Sequence, residues 1–218
     1  MKHILLSLST LSLCACSIEM ESQDPVIEPI ALQEEYAEGG ITCTAEGKVL
    51  RVSGLLSKQV EVNINSYFDE YAYQIQEDIR NCSTQYQAIA EEGVELSEHT
   101  TVDFHVTLID DEHLSILLLQ SKYFDGAAYP NNSIETFVFD LSTGQPIVLE
   151  DFVNDMQKLT ELVSQKTSQE GLTYPSDTSN AIEKFYLTED AVVLVDLFSV
   201  HAVQAFEVSV PLEEISDQ

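Results

Sequence analysis

Apolar side chains recur every three or four residues from Ile64 to Ile89, the clearest periodicity in the chain. Ile64, Phe68, Tyr71, Ile75, Ile79, Cys82, Tyr86 and Ile89 draw one stripe, the spacing that lines a single helix face. Asn63 or Asn65 is placed to cap its start, and Gly93 to end it. Ahead of this helix the pattern is strand-like at Thr42-Cys43-Thr44, Val49 to Val52 and Val60 to Val62. After Gly93 the period changes to two. Val102, Phe104, Val106 and Leu108 alternate with Thr101, Asp103, His105 and Thr107, which predicts a half-buried strand. Asp110-Asp111-Glu112 makes a polar turn, and a more apolar strand is predicted from His113 to Tyr123. A third runs from Ile134 to Leu141, and Ser142 to Gln145 turns it into a short strand at Ile147-Val148-Leu149. Asp151 is placed to cap a second helix carrying Phe152, Met156, Leu159 and Val163, with Gly171 past its end. Strands are predicted last at Lys184 to Leu187, Ala191 to Phe198 and Phe206 to Val210. The fold expected is α+β, an antiparallel sheet packed by two main helices.

The N-terminus follows a different pattern. Met1-Lys2-His3 is a small positive head, and Ile4 to Leu13 an apolar run too short to cross a bilayer. Leu13-Cys14-Ala15-Cys16 then resembles a bacterial lipobox, with small Ala15 just before Cys16 and Leu13 three places upstream. The resemblance implies that residues 1–15 are a lipoprotein signal peptide, cut before Cys16, whose sulfur carries the lipid. An ordinary secretory signal cut nearby is the rival reading. Residues 16–40, polar and acidic with Pro25, Pro29 and Gly39-Gly40, read as a flexible tether. Ser17 stands where an aspartate usually marks inner-membrane retention. In a Gram-negative cell the expected address is therefore the periplasmic face of the outer membrane. The remainder divides into a strand–helix half, 41–97, and an antiparallel α+β half, 98–218.

Charge narrows the partners. The chain has 9 basic and 38 acidic residues, a net charge of -29. Loss of residues 1–15 removes Lys2 and no acid, which leaves the mature chain one unit more negative. Such a surface repels nucleic acid and attracts cationic partners in a salt-dependent way. The plainer reading of the same acids is a solvated, soluble surface. In an exported chain with Cys14 removed and Cys16 lipidated, Cys43 and Cys82 remain as a pair in an oxidising space. A disulfide is expected between them. A metal site is the rival, but two distant cysteines without clustered histidines make a poor zinc set.

Little else carries chemistry. His99, His105, His113 and His201 lie at no metal-ligand spacing, and His3 leaves with the signal. Asp110 to His113 lacks the alternating oxygens and glycine of a calcium loop. The sequence has no Gly-x-Ser-x-Gly elbow and no phosphate-cradling glycine loop, and so many carboxylates pair by chance. No enzyme activity, metal or cofactor is expected.

The stretch that carries a family resemblance is Tyr123 to Phe152. Tyr123-Phe124-Asp125-Gly126-Ala127-Ala128-Tyr129-Pro130-Asn131, Phe139-Asp140-Leu141-Ser142-Thr143-Gly144 and Ile147 to Phe152 resemble the RsiV-like and PdaC-like extracytoplasmic family. Its pattern is an aromatic strand end, a Gly-Gly-Ala-His-Pro-like turn, a strand ending in Phe-Asp and a Thr-Gly turn. Phe185 to Asp190 and Glu207 to Leu212 resemble its closing strands. Here Ala127 replaces the second turn glycine and Tyr129 the usual histidine. The resemblance implies a domain of the kind that senses lysozyme in an anti-sigma factor, or accompanies a peptidoglycan deacetylase. Expected partners are thus a cationic, lysozyme-like protein or peptidoglycan, beside the membrane reached through the lipid. A structural envelope lipoprotein is the third reading. The candidate binding residues are Tyr123, Asp125, Gly126, Tyr129 and Asn131, in a turn that can equally serve as a plain sheet connection.

The N-terminal reading is tested by mass spectrometry. The mature protein should begin at an acylated Cys16, and Cys16→Ala should accumulate as unprocessed precursor. A Cys16→Ala form that is processed and located like wild type would end that reading.

Overall fold

In a computed structural model of the chain, residues 25–86, 95–169, 184–195 and 207–215 are described. The main sheet contains β1 (Val26–Glu38), β2 (Ile41–Ser53), β3 (Leu96–Ile109), β4 (His113–Phe124) and β5 (Asn131–Asp140), in that spatial order. Helix α1 (Lys58–Tyr86) separates β2 from β3 in sequence. A short helix, α2 (Leu149–Phe152), and α3 (Met156–Gln169) lead to a second sheet of β6 (Phe185–Leu187), β7 (Ala191–Val195) and β8 (Glu207–Pro211). One turn of helix, α4 (Leu212–Ile215), follows β8. The fold is α+β, as the periodicities predict. The main sheet is mixed, however: β2 and β3 run parallel, while every other neighbouring pair is antiparallel. Parallel neighbours need a long crossover, and α1 supplies it.

Most of the stripe on α1 faces the sheet as predicted. Ile64, Phe68, Ile75, Ile79 and Cys82 are buried against Cys43, Ala45, Leu50, Val52, Val102, Leu114, Ile116 and Leu118. Phe68 meets Phe137 and Phe139 edge-on at 5.4 and 5.8 Å, a geometry aromatic quadrupoles favour. Cys43 and Cys82 form the expected disulfide, with Cα atoms 6.4 Å apart and a sequence separation of 39. Ile89 and Gly93 lie outside the described residues.

The helix starts earlier than its apolar spacing suggests, so Val60 to Val62 is helical and not a strand. Ser57 is the cap: its carbonyl accepts the Glu61 N–H at 3.2 Å and its hydroxyl the Val60 N–H at 3.4 Å. Asn63 and Asn65, placed as caps by sequence, bind other elements. Asn65 accepts the Val52 N–H and donates to the Val52 carbonyl, both at 2.8 Å. Asn63 donates to the Thr143 carbonyl at 3.0 Å.

The expected tether is corrected only from Val26 onward, since residues 16–24 lie outside the described residues. Residues 26–38 form β1, paired with β2 from Val26 opposite Ser53 to Glu38 opposite Ile41. Gly39 and Gly40 close this hairpin with φ of 63° and 82°, the positive angles of a two-residue turn. The strand escapes an apolar-pattern reading because Leu32 is its one fully buried side chain. The boundary expected at residue 97 falls inside β3, which pairs with β2 on one side and β4 on the other. The two expected halves therefore share one sheet.

A bulge between Val106 and Leu108 breaks the alternation of β3. Val106 is 37% exposed instead of buried. Leu108 packs on the face opposite α1, against the second sheet. Ser115, fully buried, links the sheets there: its hydroxyl accepts the Leu187 N–H at 2.8 Å and the Thr107 hydroxyl at 2.9 Å. Ile147-Val148-Leu149 makes no strand. An isolated bridge joins Phe139 to Pro146, and Leu149 already belongs to α2. Asp155, not Asp151, caps the second main helix, accepting the Lys158 N–H at 2.9 Å. Leu159 and Val163 are buried as predicted, but Phe152 belongs to α2. Gly171, His201 and the far end of the strand predicted at 191–198 lie outside the described residues.

Gly47 marks the end of the parallel ladder, opposite Val102. Its φ is 144°, and a Cβ there would sit 1.9 Å from the Val102 carbonyl oxygen. Gly47→Ala should therefore destabilise the protein by about 2 kcal/mol or more in urea unfolding, from backbone strain and collision together. Gly39→Ala, with φ of 63° and no atom within 4 Å of the new methyl, should cost only about 1 kcal/mol. Equal losses at the two positions would remove the close approach as the cause.

Candidate functional site

The turn from β4 to β5 collects all five residues singled out by sequence. Gly126 has φ of 90° with open space around the position of a side chain, so glycine is favoured there by backbone strain alone. The Ala127 N–H donates to the Phe124 carbonyl at 2.9 Å. Asp125 ties the turn to the start of β3, its N–H reaching the Ser97 carbonyl at 2.9 Å while the Ser97 hydroxyl donates to its carboxylate. Beneath the turn, Phe124 stacks on Tyr86 with ring centroids 4.7 Å apart. The Tyr86 hydroxyl donates to buried Glu98, and burial, the bond and the Glu98 charge all push its pKa up. Lys122 lies 3.6 Å from both Glu98 and Asp78. The turn thus stands on a fixed base, and its own aromatics point to solvent.

Tyr129 is 59% exposed and Tyr123 39% exposed. Asn131 opens β5 opposite Lys122 and is exposed. The carboxylate of Asp125, by contrast, is engaged with Ser97. The five residues form a projecting edge, not a pocket. A cavity of about 200 Å³ lies elsewhere, lined by Phe137, Val138, Pro146, Ile147, Leu149 and Phe185.

Sequence reading missed the neighbour that extends this edge. His99 sits on β3, not in a connection, directly across from Tyr123 on one side and Thr44 on the other. Its Nδ1 is 2.8 Å from the Thr44 hydroxyl and its Nε2 3.4 Å from a Glu46 carboxylate oxygen. The side chains of His99 and Glu46 are 45% and 66% exposed, so water screens this chain of contacts heavily. It orders the surface beside Tyr123 without the dry environment in which such a chain activates a hydroxyl. The only signal for it is the polar alternation Ser97, His99, Thr101. That signal is hidden because the inward positions hold Glu98 and Thr100, both buried, instead of apolar residues.

The run Asp110 to His113 forms the hairpin turn expected of it. One Asp110 oxygen accepts the Glu112 and His113 N–H groups at 2.8 and 2.6 Å, and His113 Nδ1 is 3.3 Å away. Asp140 similarly accepts from Ser142, through its hydroxyl and N–H at 2.6 Å each, and from the Thr143 N–H at 3.2 Å. Among the described residues no group of three or more His, Cys, Asp or Glu side chains is placed to hold a metal ion.

No protein-family model matches the sequence, and no curated protein does. Solved structures do. The crystal structure of a DUF3298 family member from Bacteroides fragilis NCTC 9343 is similar over 88% of this chain and 92% of its own, with TM-score 0.61 and 16% identity. A DUF3298 family protein from Pseudomonas aeruginosa PAO1 is similar over 88% of this chain and 93% of its own, with TM-score 0.57 and 13% identity. The chain therefore has the fold of DUF3298 proteins, the RsiV/PdaC-like domain family. At such identities the likeness is one of fold.

The two turn aspartates give a pH prediction. At Asp110 partial burial raises the carboxyl pKa, but the Glu112 and His113 N–H groups and the His113 ring outweigh it and hold it below the usual range. At Asp140 the Ser142 hydroxyl and N–H hold it low. A depressed folded pKa stabilises the native state above the unfolded value of about 3.9, and that contribution is lost as pH falls through the folded value. Carboxyl NMR titration should find both midpoints below about 3.9. Asp140→Asn should narrow the stability difference between pH 7 and acid.

Proposed function

We propose that this chain is a non-catalytic binding module of the bacterial cell envelope, lipid-anchored through Cys16, that holds a cationic protein, with a lysozyme-like protein as the sharpest candidate. The observation that carries the reading is the projecting Gly126 turn. It presents Tyr123 and Tyr129 to solvent from a rigid base, on a chain with 38 acidic and 9 basic residues. Exposed tyrosines offer contact area with little rotamer entropy to lose, and the surrounding charge raises the rate of encounter with a basic partner. The DUF3298 fold supports the reading, because the sequence resemblance that implies a lysozyme- or peptidoglycan-related role points to the same family. Tyr129 stands where that pattern has histidine, so recognition here depends on aromatic contact instead of an imidazole.

A second reading is a peptidoglycan or other glycan-binding module, favoured by the same two exposed rings, which can stack on sugar faces. The two readings separate in one experiment. The purified chain is titrated with cationic lysozymes and, in parallel, incubated with peptidoglycan, at low and physiological salt. For the first reading, lysozyme binding should weaken but persist near 0.15 M salt, where the screening length is about 8 Å. Tyr129→Ala should lower affinity about tenfold or more, while Glu213→Gln, far along the chain in α4, should leave it within about twofold. Binding that vanishes at physiological salt is non-specific charge pairing and overturns the reading. Retention on peptidoglycan that is lost in Tyr129→Ala moves the assignment to the glycan.

A further inference from the structure

We propose that the outer edge of β1, between Ile30 and Glu38, is a docking site for an extended polypeptide segment bearing lysine or arginine, which adds to the main sheet as a sixth strand. β1 is the first strand of a sheet ordered β1-β2-β3-β4-β5, and among the described residues it has a partner strand on one side only. Every one of its 13 residues is in register with β2, so the ladder is continuous along the whole strand. In an antiparallel pair, alternate residues turn their N–H and C=O groups away from the partner. A strand of this length, about 40 Å at 3.3 Å per residue, therefore offers a row of unused donors and acceptors. The opposite edge differs: at β5 the Lys184 ammonium already donates to the Ile134 carbonyl at 2.7 Å and lies 3.2 Å from Glu135.

The chemistry along β1 selects the occupant. It carries Glu28, Glu34, Glu35 and Glu38 and no basic residue. Glu34 accepts from Gln76 at 2.7 Å, and Glu38 from Ser83 at 3.1 Å and Tyr36 at 2.8 Å, so these two are held in place on the strand. Glu35 is exposed without a side-chain partner among the described residues, opposite Thr44. Glu46, opposite Gln33, adds a further carboxylate to this end. The other end is less suited, because Pro29 offers no N–H and Arg51 lies across from Glu28; Lys48, across from Ala31, is the one basic neighbour within the site's own span. Pairing is thus favoured on the C-terminal nine residues. A second copy of the chain is disfavoured there, since it would set Glu34 and Glu35 against carboxylates of equal sign on a molecule of net charge -29. The same charges that deter self-association admit a basic strand.

This inference shares with the reading above only the sign of the partner's charge, and it does not use the Gly126 turn. The test uses the purified chain with three ten-residue peptides: alternating Lys-Thr, the same sequence N-methylated at every peptide bond, and alternating Glu-Thr. Hydrogen exchange is followed amide by amide. The Lys-Thr peptide should slow exchange of outward-facing amides between Ile30 and Glu38 by about tenfold or more, and the other two peptides should not. Glu35→Lys should weaken its binding about twofold to fivefold, the usual effect of one cross-strand charge pair. It should leave lysozyme binding at the turn unchanged, whereas Tyr129→Ala should do the reverse. Equal binding of the methylated peptide would show charge pairing without strand addition. No slowing within β1 would show that its acids and Pro29 serve only to keep the edge solitary. Slowing by added protein alone would make the occupant a second copy. Each of these three results overturns the proposal.

Discussion

The parallel contact between β2 and β3 is the constraint on which the rest of the main layer depends. Two adjacent strands that run the same way cannot be joined by a hairpin, so the 29 residues of α1 must cross the sheet between them. That crossing brings the apolar stripe of the helix onto the sheet and delivers Cys82 to Cys43. The ladder ends where the backbones come too close for any side chain, at Gly47 and Val102. Beyond that point β2 continues without β3, and α1 replaces the lost neighbour: the Asn65 amide takes both polar groups of Val52. One helix thus provides the connection, the cover and some of the hydrogen bonding of the strand it leaves.

Buried polarity follows the same geometry. Near its C-terminal end α1 meets β3 and β4 through the polar groups of Tyr86, Glu98, Lys122 and Asp78 as well as through apolar contacts. A carboxylate as buried as that of Glu98, 3% exposed, is tolerable only with charge and donors beside it. Lys122 and the Tyr86 hydroxyl are those partners. The buried Thr100 hydroxyl oxygen has no such partner among the described residues. This polar seam fixes the base of the Gly126 turn, so the exposed tyrosines above it are carried on a defined platform.

Much of this could be read from residue order. A helical stripe needs only its spacing, and the turns at Gly126, Asp110 and Ser142 follow from local backbone chemistry. Three features could not. β1 is held mainly by main-chain pairing with β2, so its side chains leave little trace beyond Leu32, and its acids resemble a solvated linker. The first half of β3 hides Glu98 and Thr100 where a pattern reader looks for valine, which conceals His99 and its contacts with Thr44 and Glu46. The bulge at Thr107 transfers the alternation from one face to the other, a shift that depends on the second sheet waiting on the far side. In the candidate site, the residues contiguous in sequence were legible and those brought in by strand pairing were not.

The place of β1 also has a mechanical consequence. Among the described residues it is at once the first strand and the outermost strand of its sheet, so a pull applied at Val26 would load it first. Drawn sideways, its rungs open in succession from the Val26–Ser53 pair toward the Gly39-Gly40 turn. They need not yield all at once. Complete peeling releases about 40 Å of chain at 3.3 Å per residue. The disulfide between Cys43 and Cys82 lies beyond that turn and binds β2 to α1 covalently, so the tear stops at the hairpin and the crossover behind it stays whole. Under such a load the strand would give length first, at the cost of Leu32 leaving the core and of the Glu34–Gln76 and Glu38–Ser83 contacts, while the disulfide-linked β2 and α1 stay joined.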